Sequence, residues 1–325
     1  MKDKIKNTLL GIAIGDAFGA GIEFQDRNWI LNNVDFTKYL NARGPKYGKN
    51  YIPGHYTDDT EHSIGIINTL ISKKPFTEQL LLDEWKKEYF QDKKQKGYGR
   101  QGHGSIRWYY EGEKDIEDIR SFQAKRYSPG NAPPMRAVPL GFINDSLINK
   151  YAIINADSTH PHPKGRAASI IVARAAEFLL MKNGKREDLI DYCLEHIKGI
   201  DKEMEQSIPK IKKLPHPDLF KNEFYRFLCG PQPLKRPIPG IMGMPSDSMY
   251  TAYCTLHILS RTENAFEGLR YAMQLGGDVD SIGSIVTGIL GGRYGLDSLP
   301  KFMLEQVEGR ERLEKLAEDF NSYLN

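Results

Sequence analysis

The sequence predicts an all-α fold. Apolar residues recur at three- and four-residue spacing along most of the chain, and runs with clean period-two alternation are scarce. The final stretch, residues 305–324, places Leu313, Leu316, Phe320 and Leu324 on one side and charges on the other, as a closing amphipathic helix does.

The elements follow in order. The N-terminal segment has an apolar run from Leu9 to Ile14, interrupted by glycine and followed by Asp16. That run is too short for a membrane span and a poor match to a secretory h-region. Residues 57–74 carry Ile64, Ile67, Leu70 and Ile71 on one helical stripe. In residues 165–184, Ala, Ile, Val and Leu crowd most faces, which predicts a helix buried nearly all round that Gly184 stops. Residues 281–295 contain Gly283, Ser284 and Gly288, small enough for a second helix to approach closely. The Pro-, Gly- and Lys-rich stretches 44–54, 128–139, 160–165 and 229–245 punctuate helices rather than form linkers. No internal repeat appears. One compact domain spanning 1–325 is the simplest organisation.

The chain has 325 residues, 45 Lys plus Arg against 42 Asp plus Glu, and a formal charge of +3. Hydrophobic residues at 40% and charged residues at 27% argue against disordered, collagen-like and coiled-coil classes, and the small positive charge disfavours a nucleic-acid partner. The basic stretch Lys93 to Arg100 is short and broken by glycines, so a solvated loop outweighs a phosphate patch. Cys193, Cys229 and Cys254 form no CxxC pair, and an odd count fits reduced core thiols in a cytoplasmic protein.

Chemistry concentrates in two motifs, each ending a loop and opening a helix: Tyr56-Thr57-Asp58-Asp59-Thr60 and Gly276-Gly277-Asp278-Val279-Asp280-Ser281. One reading is helix capping, since Asp, Thr and Ser are preferred N-caps and carboxylates suit the positive end of a helix dipole. Capping needs only one side chain, however. If the motifs meet, Asp58, Asp59, Asp278 and Asp280 bring four negative charges together, and cations must offset them. Hard oxygen donors of this kind suit Mg²⁺, Mn²⁺ or Ca²⁺ rather than zinc. Thr57 and Ser281 add hydroxyl oxygens, and Gly276 and Gly277 allow a sharp turn.

At these residues the chain resembles the ADP-ribosylglycohydrolases, which include the dinitrogenase reductase-activating glycohydrolase and the eukaryotic ADP-ribosylhydrolases. The resemblance runs in family order from Gly11-Ile-Ala-Ile-Gly15-Asp16 and Glu23, through Thr57-Asp58-Asp59-Thr60, Gly130-Asn131, Met135-Arg136 and Ser158-Thr159-His160, to the Gly276–Ser281 motif. It implies an orthogonal helical bundle with a centre of two Mg²⁺ (or Mn²⁺), held by Thr57, Asp58 and Asp59 from one side and Asp278, Asp280 and Ser281 from the other. It further implies Glu23, Asp58, Asp59 and Asp278 as catalytic carboxylates. Ser128, Gly130, Asn131, His160, Gly276 and Gly277 become ligand-binding residues. The implied activity is release of ADP-ribose from a modified acceptor, with protein arginine the first expectation. An inactive ADP-ribose-binding or structural relative, and a hydrolase of another linkage, are the alternatives.

The chain departs from the family at Val279 and Ser281, where Thr is usual; Ser281 keeps the hydroxyl. Ala132-Pro133-Pro134 replaces a small, glycine-rich loop, and its prolines remove backbone donors. Asp16 reads as a cap or as a contact to metal-bound water, and Glu23 as a solvated helix-end charge outside the resemblance. His160-x-His162 lacks a third Cys or His for zinc. Arg136 is expected in a structural ion pair. Tyr98 and Tyr127 are expected as core aromatics rather than adenine platforms.

Overall fold

The computed structural model describes residues 1–43, 51–92, 106–219, 222–235 and 238–325. The basic stretch Lys93 to Arg100 with Tyr98, and most of the first glycine-rich stretch, lie outside the described residues. The described chain is helical: α1 (Lys2–Ala20), α2 (Arg27–Asn33), α3 (Asp58–Ile71), α4 (Glu78–Asp92), α5 (Arg107–Tyr110) and α6 (Ile116–Ala124). Next come α7 (Ala132–Met135), α8 (Asp145–Asp157), α9 (Pro163–Ala176), α10 (Leu189–His196), α11 (Lys202–Ile211) and α12 (Asn222–Cys229). The last are α13 (Ser248–Leu259), α14 (Ala265–Met273), α15 (Val279–Tyr294), α16 (Lys301–Gln306) and α17 (Arg310–Leu324). A lone bridge between Met244 and Gly277 is the described extended pairing.

The central contact is α1 against α15. Gly11, Gly15 and Gly19 repeat every four residues, so they share one face of α1. A Cβ on Gly11 would stand 2.5 Å from the Thr287 carbonyl oxygen, and one on Gly15 2.8 Å from the Ser284 nitrogen. The close approach expected at Gly283 and Gly288 is therefore made, and its partner is the N-terminal helix. Nearly every side chain of α1 from Thr8 to Ala20 is buried, and so is α15 from Val279 to Gly292. The apolar core forms one connected cluster drawing on both ends of the chain, from Ile5 to Phe320. Cys193, Cys229 and Cys254 sit in it as free thiols. Among the described residues no helix is long and apolar enough to cross a membrane.

Helix α9 is buried nearly all round, as its composition predicts. It ends differently: Glu177–Met181 widens into a π turn, Asn183 takes the left-handed conformation (φ 49°), and the Gly184 N–H returns to the Phe178 carbonyl at 2.8 Å. The closing helix is also two helices. Gly309 at φ 64° turns the chain between α16 and α17, and the Leu313 and Phe320 face buries as expected.

His257 on α13 is buried and shares a 2.9 Å hydrogen bond with the Pro215 carbonyl. Burial holds its pKa down to about 3. Below pH ~6.5 the unfolded chain takes up a proton there that the folded chain refuses. Folded stability from this residue is thus complete above that pH and is lost as pH falls. Relative to His257→Gln, the wild type should lose about 1.4 kcal/mol of unfolding free energy per pH unit below ~6. Urea titrations of both proteins at pH 7, 6 and 5 measure the difference, and a pH-independent gap would contradict the assignment.

Candidate metal centre

The two acidic motifs open α3 and α15, and α1 lies beside both. Neither Thr57 nor Asp278 caps its own helix through its side chain. The capping of α3 is done from α1 instead. Asp16, fully buried, accepts from the Thr57 and Thr60 backbone N–H groups at 2.9 and 3.0 Å and from their hydroxyls at 2.8 and 2.6 Å. Asp16 is therefore a cap at long sequence range, and it pins the first motif onto the N-terminal helix.

The second motif is set by its two glycines. Gly276 and Gly277 have φ of 70° and 74°, a left-handed pair that other residues adopt only with strain. The backbone then threads between two segments. Phe24 N–H donates to the Gly277 carbonyl at 2.8 Å, Gly277 N–H to Gln25 at 2.9 Å, and Asp278 N–H to Met244 at 3.0 Å. A Cβ on Gly276 would lie 2.6 Å from the Arg27 nitrogen. In this structure both glycines are surrounded by protein backbone.

These constraints bring the motifs together. Oxygen atoms of Asp16, Asp59 and Asp280 lie within 4.8 Å of one another, as do those of Glu23, Asp278 and Asp280. All five carboxylates are buried, and Asp280 belongs to both groups. Asp58, expected beside Asp59, stands outside the two groups and is partly exposed. Arg43 forms a buried ion pair with Glu23. Nothing in the sequence pattern singled out Arg43.

Electrostatics follow from the crowding. Burial first, then Asp280, Asp16 and Asp58, push the Asp59 carboxyl well above the usual range, with a Ser281 hydrogen bond opposing. Burial raises Asp16 as well, against its four hydrogen bonds from Thr60 and Thr57. Asp59 Oδ1 is buried without a hydrogen-bond partner. A buried acceptor left open within hard, anionic donors fits a divalent cation. Neither group contains a thiolate or imidazole, so zinc is a poor match.

The 128–131 loop borders the second group through Asn131, whose amide donates to Asp278 at 3.3 Å. Ser128 donates to Asp247, the N-cap of α13, at 2.8 Å, and Gly130 N–H donates to Gln123 at 3.0 Å. Pro133 and Pro134 lie in the first turn of α7, where the backbone donors they remove cost little. His160 is buried, with Nδ1 2.6 Å from the Thr159 hydroxyl. His162 instead caps α9, accepting from Lys164 N–H.

Two expectations fail. Arg136 is fully buried, yet no carboxylate pairs with it among the described residues; it stacks over Trp85 and bonds to His62, Asn155 and Thr159. Tyr127 is no core aromatic: it is 67% exposed, beneath Lys164 and hydrogen-bonded to Glu203.

With this geometry in place, the comparisons with known proteins are decisive. The ADP-ribosylglycohydrolase family profile matches residues 1–324. The chain belongs to the ADP-ribosylglycohydrolase family. It is 24% identical to the human ADP-ribosylhydrolase ARH3, over 98% of this chain and 93% of that protein. It is 25% identical to the ADP-ribosylarginine hydrolase Tri1 of Serratia proteamaculans, over 97% of this chain and 78% of that one. A solved structure titled an ADP-ribosylglycohydrolase-related protein complex superposes with a TM-score of 0.67 at 21% identity, covering 100% of this chain and 99% of the other. The family fold is thus the all-helical architecture that the periodicity predicts.

Proposed function

We propose that this family member hydrolyses the glycosidic bond between ADP-ribose and a modified acceptor, with protein arginine as the first acceptor to test. The observation that carries the reading is the meeting of the two acidic motifs at Asp280. The arginine assignment draws on the likeness to the ADP-ribosylarginine hydrolase.

Asp16, Asp59 and Asp280 would hold one divalent cation, and Glu23, Asp278 and Asp280 a second, with Thr57 and Ser281 hydroxyls beside them. Bound Mg²⁺ or Mn²⁺ would supply positive charge that fixes ribose hydroxyls and lowers the cost of the clustered carboxylates. The protein's own groups do the rest. Asn131, tied to Asp278, orients the ribose end. Water adds to the anomeric carbon, and the C–N bond breaks with its electron pair going to the guanidine nitrogen. Glu23, held in place by Arg43, accepts the proton of the water and returns it to the leaving nitrogen. Asp58, the more exposed carboxylate of the first motif, would be left for contact with the substrate. We extend the reading to a cytoplasmic protein acting as one domain over residues 1–325.

The test is release of ADP-ribose from arginine-, serine- and DNA-linked substrates, with Mg²⁺, Mn²⁺ or a chelator. Metal-dependent release from the arginine substrate is the expected outcome. Binding of ADP-ribose with no release from any substrate would replace the hydrolase by a binding protein.

A further inference from the structure

The buried Arg136 network has a consequence for His160. Arg136 sits at the end of α7, fully enclosed, its guanidinium 3.7 Å from the centre of the Trp85 ring. Its Nε donates to Asn155 Oδ1 at 2.7 Å, and its Nη2 to the Asn155 carbonyl at 3.0 Å and the Thr159 hydroxyl at 2.8 Å. A guanidinium has donors and no acceptor, so Thr159 Oγ1 must accept from it. The single hydroxyl proton of Thr159 then faces His160 Nδ1 at 2.6 Å. No other acceptor for that proton is present among the described residues. Were Nδ1 protonated, Thr159 Oγ1 would accept from both groups and its own buried hydroxyl proton would be left without an acceptor.

We propose that Arg136 is a positioning residue that acts through the Thr159 hydroxyl to hold His160 in its Nε2–H form, a donor presented beside Gly130 to an oxygen of the ligand diphosphate. The choice of ligand rests on the proposed function; the tautomer does not. Nε2 lies where a Cβ on Gly130 would stand 3.0 Å away, so the absent side chain keeps this donor open. Burial and the nearby Arg136 charge lower the His160 pKa well below the usual value, which keeps the ring neutral. The same guanidinium approaches His62 Nδ1 at 3.3 Å, and Nδ1 must again accept, here at the cost of a buried His62 Nε2–H without a partner. One buried cation therefore sets two imidazoles, and its charge also favours an anion at the loop next to it.

The experiment uses the full chain with ¹⁵N-labelled histidine, read by long-range ¹H–¹⁵N correlation at pH 7 without ligand. His160 resonances, identified by their loss in His160→Gln, are expected in the neutral Nε2–H pattern. Thr159→Val should convert them to a mixture of tautomers, and Thr159→Ser should restore the wild-type pattern. ADP-ribose affinity should fall in Thr159→Val only in proportion to the Nε2–H fraction lost, about twofold for an even mixture, and match the wild type in Thr159→Ser. An Nδ1–H pattern in the wild type overturns the proposal, and so does an unchanged pattern in Thr159→Val. Failure of the wild type to bind ADP-ribose overturns the proposed function instead, while the ligand-free spectrum still decides the tautomer.

Discussion

Asp280→Asn is expected to abolish divalent-cation binding while making the metal-free protein more stable. Asp280 is the residue common to both acidic groups, so one substitution removes a donor from each. Losing residues that merely support metal ligands typically costs 10–100-fold in affinity or activity, so a shared ligand should cost at least ~100-fold in both. The stability change has the opposite sign. Asp280 is the first charged group acting on Asp59 after burial itself, and it disfavours the ionised form. An amide of the same shape removes that repulsion. With chelator present, Tm should therefore rise by at least ~2 °C, whereas the upward shift that Mg²⁺ gives the wild type should vanish. Thermal melts with and without Mg²⁺ read both effects together. A wild-type Mg²⁺ shift in Asp280→Asn would mean that these oxygens do not form the cation site.

The residues differ in how far the sequence exposed them. The two acidic motifs were legible because each sets more carboxylates before a helix than capping requires. Their meeting was implied by the family resemblance and not by spacing, because it depends on which backbone Gly15, Gly19 and Gly276 pack against. Asp16 did leave a trace, a charge just after the apolar run from Leu9 to Ile14, but a cap and a metal contact predict the same letter. The structure shows the capping directly and places the same carboxylate in an acidic group. Arg43 had no signal, since its partner Glu23 lies twenty positions away with no periodic relation to it. Arg136 was misjudged for a physical reason: buried arginines are usually paired with acids, and here amide, hydroxyl, imidazole and indole groups do that work together. Tyr127 follows the Lys125-Arg126 pair, and exposure there could not be separated from burial by residue type alone.

Two glycine substitutions on one helix should separate folding from function. Exposed Gly→Ala changes inside helices normally stabilise by about 1 kcal/mol. On α1 the sign should reverse, since the new methyl meets backbone rather than a movable side chain. At Gly11 it would stand 2.5 Å from the Thr287 oxygen and 3.0 Å from Gly288 Cα; at Gly19, 2.7 Å from the Asp280 nitrogen and 3.0 Å from the Val279 carbonyl carbon. Overpacking of this kind costs roughly 1–3 kcal/mol, so Gly11→Ala and Gly19→Ala should both lower the urea midpoint. Their effects on the acidic groups should differ. Gly11 lies about 12 Å along the helix from Gly19, beside the middle of α15, and moving the helices apart there leaves the carboxylates near their places. Gly19 abuts the residues that carry the shared carboxylate, so its methyl must displace Asp280 itself. Mg²⁺ affinity, followed by calorimetry at a temperature where both variants are folded, should fall at least ~10-fold in Gly19→Ala and change little in Gly11→Ala. Equal affinities in the two variants would show that the helix contact supports the fold without setting the spacing of the acidic groups.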